Sequence, residues 1–163
     1  MTSLSTKVAA TDWAALSLSA LVEYILGTHH AYLKSTLPRL ESELGCAPAI
    51  APVLRALHLE LDAHLLKEEM ILFPFIRTME AGGRGPSHCG SVQNPIRVMM
   101  AEHDSAQDAL SELRRLTDDY RAPAGSDDRL AHLYTQLQEL ERDLQEHIRL
   151  ENEVLFPRAI ALE

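Results

Sequence analysis

Apolar residues recur at three- and four-residue intervals along most of the chain, which is the spacing of one face of an α-helix. Four long stretches carry it. The first spans about residues 18–44, through Leu18, Leu21, Val22, Ile25, Leu33, Leu37, Leu40 and Leu44, with Gly45 and Pro48 marking its end. The second covers about 49–81, with Val53, Leu54, Leu57, Leu61, Leu65, Ile71 and Leu72 on its apolar side. Gly82, Gly83, Gly85 and Pro86 then open a loop that continues to Gln93. The third, about 95–121, starts with Asn94 as cap and Pro95 at the first helical position, and carries Val98, Met99, Ala106, Leu110, Leu113 and Leu116. After a turn at 121–125, Ser126 caps the fourth, about 127–161, with Leu130, Leu133, Leu137, Leu140, Leu144, Ile148, Val154 and Leu155 inward. No strand pattern competes. The expectation is an all-α, up-down-up-down four-helix bundle forming a single domain over residues 1–163.

Composition narrows the class further. A chain of 163 residues with 46% hydrophobic and 24% charged positions has enough apolar material for a core and is not disordered in character. Fifteen basic against 24 acidic residues leave a net charge of −9, so no broad basic surface points to nucleic acid. The longest apolar run, 70–76, is interrupted by Pro74 and is far too short to cross a membrane. Lys7 and Asp12 do not fit a secretory leader, and Cys46 and Cys89 are isolated, so a cytoplasmic location is expected. What stands out is eight histidines in a small acidic chain.

Their chemistry is organised by a repeat. The second helix contains His-Leu-Leu-Lys-Glu-Glu-Met-Ile-Leu-Phe-Pro from His64, and the fourth contains His-Ile-Arg-Leu-Glu-Asn-Glu-Val-Leu-Phe-Pro from His147. Five of the eleven positions are identical, among them His64/His147 and Glu68/Glu151. A histidine and a glutamate four residues apart lie on one helix face, one turn apart, so both reach a single ion or a pair of ions. The first helix offers His29 and His30, and the third offers His103. With a rise of about 1.5 Å per residue, His30 and His64 fall at nearly one level, while His103 and His147 come out roughly 10 Å lower. Helix ends shifted by about two to four residues close much of that gap. A lone buried histidine is ordinarily a hydrogen-bonded core residue, and a single HxxxE pair arises by chance. Two copies in the same context, with a histidine on each remaining helix, outweigh that reading.

Four imidazoles and two carboxylates suit first-row transition metals, and six donors exceed the four of a structural zinc site. Two ions bridged by Glu68 and Glu151 would each have two nitrogens and two oxygens. An oxo or hydroxo bridge brings each to five and leaves one position open, which suits iron binding O₂ or NO. The Glu-x-x-His motif of ferritin-like carboxylate sites is absent from the chain.

The same segments carry a resemblance. His29-His30 followed by Leu37-Pro38, the phrase from His64 to Pro74, Pro95-Ile96-Arg97-Val98-Met99 leading to Ala101-Glu102-His103-Asp104, and the phrase from His147 to Pro157 resemble the hemerythrin-like (HHE cation-binding) family, and within it the RIC-type iron–sulfur cluster repair proteins. The likeness covers about residues 18–160. It implies His30, His64, Glu68, His103, His147 and Glu151 as ligands of two non-haem iron ions, with the glutamates bridging. It further implies NO and O₂ as small ligands, iron–sulfur proteins as partners, and a part in nitrosative or oxidative stress, with an NO- or O₂-reactive centre that is not a hydrolase. An O₂ or NO sensor or store without repair activity is the alternative. A zinc-bound or metal-free bundle with an interaction role is a third reading. Two departures are visible. The small cysteine-bearing N-terminal domain usual in the RIC type has no counterpart in the roughly seventeen residues before the first helix, and the HxxxH of oxygen carriers is interrupted by Gln107.

The other histidines have simpler explanations. His29 points about 100° from His30, so one of the two is expected inside; the resemblance favours His30, with His29 as the substitute. His58, with Asp62, is turned away from His64 and expected at the surface. Glu60 shares the His64 face as a surface acid or an imidazole partner. His132 reads as surface, and His88 and Cys89 lie in the loop.

Overall fold

The computed structural model describes residues 12–84 and 90–163. Within them the chain forms four long helices and no strand. Helix α1, residues 18–43, joins Leu18–Ile25, a widened π turn Leu26–His30, and Ala31–Glu43. Helix α2, residues 51–80, joins Ala51–Lys67, a π turn Glu68–Leu72, and Phe73–Glu80. Helix α3 is Gln93–Leu116. Helix α4, residues 128–160, joins Asp128–Leu150, a π turn Glu151–Leu155, and Phe156–Ile160.

Cross-helix pairs show the expected antiparallel order. Glu23 meets Arg77, Lys34 meets Glu69 and Glu41 meets His58 between α1 and α2. His103 meets Asn152 and Arg114 meets Glu141 between α3 and α4. His29 meets Asp143 between α1 and α4, so the bundle closes.

Three boundaries differ from the sequence reading. Helix α3 starts at Gln93, so Asn94 and Pro95 lie within its first turn and not at its edge. It ends at Leu116 rather than 121, because Asp118, Asp119 and Tyr120 all take positive φ (48°, 60° and 59°), which a right-handed helix excludes. Asp127, not Ser126, caps α4, its carboxylate accepting from the Arg129 N–H. A carboxylate at that place also suits the positive end of the helix.

The core divides into two apolar clusters. One holds Leu33, Leu37, Leu54, Leu57, Leu110, Leu137 and Leu140 with their neighbours. The other holds Leu21, Ile25, Phe73, Ile76, Ile96, Met99 and Phe156 with theirs. Most of the expected apolar positions are buried, but Ile71 and Val98 are exposed. Between the clusters lies a layer of buried polar side chains, His29, His30, His64, Glu68, His103, His147 and Glu151. Polar groups at this depth are costly unless something satisfies them; Thr36, Thr117, Gln136 and Glu141 are also buried, outside this layer.

Candidate metal centre

The repeated phrase builds the same local shape twice. In α2 the Phe73 N–H donates to the Glu68 carbonyl, and in α4 the Phe156 N–H donates to the Glu151 carbonyl, both five residues back. Proline follows at once, at positions 74 and 157. Proline has no N–H to offer and its ring crowds the carbonyl four residues earlier; a turn widened to five residues relieves that crowding. The widened turn opens at the glutamate in each case. In α1 the equivalent bond runs from the Ala31 N–H to the Leu26 carbonyl, and this π turn carries both His29 and His30.

The six expected side chains are brought together. One donor set is His30, Glu68, His147 and Glu151, and the second is His64, Glu68, His103 and Glu151, with all ligand atoms of a set within 4.8 Å of one another. Both glutamates belong to both sets. Glu68 Oε2 is 3.3 Å from His30 Nε2, while its Oε1 is 3.5 Å from His64 Nε2. Glu151 Oε1 is 3.1 Å from His147 Nε2, and its Oε2 is 3.0 Å from His103 Nε2. The Nε2 atoms of His64 and His103 face each other at 3.1 Å. The level difference counted from sequence is absorbed by stagger. His64 lies sixteen residues before the end of α2 and His103 ten after the start of α3, so α3 begins about 9 Å inside the end of α2.

Electrostatics mark these groups as donors. Burial, helped by the facing His147, lowers His30 to about 4. Burial and His103 lower His64 to about 4 as well. Both imidazoles are therefore neutral at pH 7, with a lone pair free on Nε2. Burial and the opposing Glu151 push Glu68 well above the ordinary carboxylate range. Burial also works to raise Glu151, but His147 and His103 prevail and hold it well below that range. Two buried carboxylates this close cannot both be charged without a cation, and Glu151 keeps the charge because its imidazoles are nearer. His30 Nε2, His147 Nε2 and all four glutamate oxygens have no hydrogen-bond partner. Unpartnered buried atoms of this kind are rare, and a cation supplies what they lack. The residues fit a metal.

Around the donors lies a layer of partners that the sequence reading missed. His30 Nδ1 meets Glu69, His64 Nδ1 meets Glu102 and His103 Nδ1 meets Asn152, each at 2.9 Å. Glu69 also takes Lys34, and Glu102 also takes Lys67. An acceptor on Nδ1 fixes the tautomer that leaves Nε2 free for a metal. The available signal was adjacency alone: Glu69 and Asn152 each follow a donor glutamate and Glu102 precedes a donor histidine.

His29 is buried too, contrary to expectation, because the π turn turns less per residue than an α turn and keeps both imidazoles inside. It belongs to neither donor set. His58 is half-buried rather than exposed, held by Glu41 at 2.6 Å and away from the centre. Glu60 and His132 are exposed, and Glu60 is not the His64 partner. Gln107 also points outward. His88 and Cys89 lie outside the described residues. A cavity of about 190 Å³ between α2 and α3, lined by Glu60, Leu61, Lys67 and Ala106, reaches His64 and His103. Among the described residues no helix is long and apolar enough to cross a membrane.

Comparison with known proteins agrees with this geometry. The chain is 36% identical to the iron-sulfur cluster repair protein YtfE of Enterobacter sp. (strain 638) over 93% of its own length and 70% of the relative's. It is 37% identical to the protein of that name from Edwardsiella ictaluri over 91% and 69%, and 35% identical to that of Cronobacter sakazakii over 93% and 70%. Residues 21–159 match the family model described as the hemerythrin HHE cation binding domain. With its four-helix bundle and its two histidine–glutamate donor sets, the chain belongs to the hemerythrin HHE family.

Proposed function

We propose that the protein holds two iron ions, one in each donor set, and acts in the repair of damaged iron–sulfur clusters under nitrosative or oxidative stress. The observation that carries the two-ion reading is the sharing of Glu68 and Glu151, each presenting one oxygen to either set. Relatives at 34–37% identity bear the name of iron-sulfur cluster repair proteins, which supports the repair reading. When bound, iron supplies one-electron chemistry and affinity for diatomic ligands such as NO and O₂.

The chain's own residues do the rest. His30, His64, His103 and His147 offer nitrogen donors, His30 and His64 as neutral rings, and the two carboxylates offset part of the charge of the ions. Glu69, Glu102 and Asn152 orient three of the rings. The two apolar clusters restrict water from either end. The cavity beside His64 and His103 is wide enough for a small ligand, and Lys67 and Glu102 stand at its wall.

The test loads the purified chain with ferrous iron without oxygen, counts metal and then adds a cluster enzyme inactivated by NO. Two irons per chain and recovered enzyme activity are expected. Binding of two irons with no recovery points to a sensor or store instead, and a chain that takes up no iron refutes the di-iron assignment.

A further inference from the structure

His29 is the one buried imidazole in the polar layer that the donor sets leave unused. Its Nδ1 is clamped by Asp143 Oδ1 at 2.9 Å, while its Nε2 has no partner. Its ring lies parallel to that of His147, with centroids 5.4 Å apart and planes 5° apart, and Tyr24 packs edge-on behind it at 5.8 Å.

The Nδ1 atoms of the four donor rings differ in what holds them. His30, His64 and His103 each have an acceptor at 2.9 Å. His147 Nδ1 has none, although it is buried. Three donor imidazoles are thus oriented by hydrogen bonds and the fourth is not. What lies against the fourth is the flat face of His29, itself fixed by Asp143. The arrangement is also lopsided. In the His64/His103 set both rings are anchored, whereas in the His30/His147 set only His30 is. The His30/His147 half further adjoins an open cleft of about 630 Å³ between α1 and α4, lined by His29, Tyr32, Glu139, Asp143 and Glu146.

We propose that His29, clamped by Asp143, is the positioning residue for His147, a stacked ring taking the place of the missing hydrogen bond. The ion at His30 and His147 is accordingly the more loosely held of the two. Loss of an orienting partner typically weakens metal affinity by about 10- to 100-fold, and stacking replaces only part of that. This inference rests on the two-ion reading but not on cluster repair.

The experiment is release of iron from the full chain. The ferrous-loaded protein is mixed with an excess of ferrous chelator without oxygen, and release is followed by the colour of the chelate. Two phases of about one iron each are expected, differing by at least about 10-fold in rate. His29→Ala should speed the fast phase by roughly 10-fold and leave the slow phase alone. His29→Phe, which keeps an aromatic face, should return it toward the parent rate. Asn152→Ala, which removes the His103 partner, should speed the slow phase instead. Should His29→Ala not fold, as judged by its melting curve, Asp143→Asn loosens the clamp and should speed the same fast phase. A single phase in the parent protein overturns the proposal, as does equal acceleration of both phases by His29→Ala or a His29→Phe variant as fast as His29→Ala. A chain that releases iron in two phases but restores no enzyme defeats the repair reading and leaves this inference standing. A repair-competent chain with one phase does the reverse.

Discussion

Glu151 sits between two imidazoles at 3.0 and 3.1 Å, and Glu68 between two at 3.3 and 3.5 Å. Removing either the His147 ring or the Glu151 carboxylate takes away donors that no neighbour replaces. His147→Ala or Glu151→Ala should therefore lower iron content far more than His58→Ala, whose ring is occupied by Glu41; equal loss in all three would refute the assignment. The same residues govern the metal-free chain's response to acid. His30 and His64 take up a proton near 6.5 when unfolded but only near 4 when folded and metal-free. Between those values the unfolded chain binds more protons, so stability falls as pH drops through that window, by on the order of 3 kcal/mol per histidine. The urea midpoint of metal-free protein should be clearly lower at about pH 5 than at about pH 7.5, and an unchanged midpoint contradicts the burial argument. At this scale the clustering of His64, Glu68, His147 and Glu151 was legible, because the duplicated phrase states both residue type and spacing, while His30 and His103 lie outside the phrase. Their partners were not. Glu69, Glu102, Asn152 and Asp143 look like ordinary polar positions until the rotation of each helix is known.

The elements explain why that rotation could not be counted from sequence. A uniform 3.6-residue repeat holds for α3, but α1, α2 and α4 each contain a π turn that resets the register at the site. In α2 and α4 the following proline gives the wide turn a local cause. In α1 no proline adjoins it; Gly27 lies there, a residue with the lowest helix preference apart from proline. A Cβ built on Gly27 would meet nothing within 4 Å. Gly27→Ala should stabilise the fold by about 0.5–1 kcal/mol, seen as a higher urea midpoint with iron content unchanged. A fall in iron content would mean that alanine pulls the turn back to α geometry and rotates His30 away. The end of α3 was misread for a different reason. Three successive left-handed residues, none of them glycine, stop the helix at Leu116, and Asp-Asp-Tyr carries no common stop signal. Tyr120 is held there by burial and by the Arg114 guanidinium 5.3 Å from its ring centre.

For the whole molecule, the chain's periodicity predicted the four-helix order and its charge told against nucleic acid, while the division of the core into two clusters emerged only in three dimensions. Each helix contributes apolar residues to both clusters, as α1 does with Ile25 and Leu33 on either side of His29 and His30. Metal held as proposed in the layer between would tie all four helices at one level. Each ion bound only by the folded chain at a free concentration of about 100 times its Kd adds about 2.7 kcal/mol. For a chain of this size that corresponds to a rise in Tm of about 5–10 °C per ion, checked by calorimetry with and without a chelator. An unchanged Tm would show that metal binds elsewhere or not at all.

A polar seam through the middle of a bundle also decides where the molecule opens. Apolar packing is continuous at both ends and interrupted at the seam, which is also where three helices carry widened turns. In the metal-free protein, amide hydrogens around Leu26–His30, Glu68–Leu72 and Glu151–Leu155 should exchange with solvent well before those flanked by Leu54 and Leu137 or by Ile76 and Ile96. Such breathing would give ions passage into and out of a buried layer while both ends of the bundle remain folded.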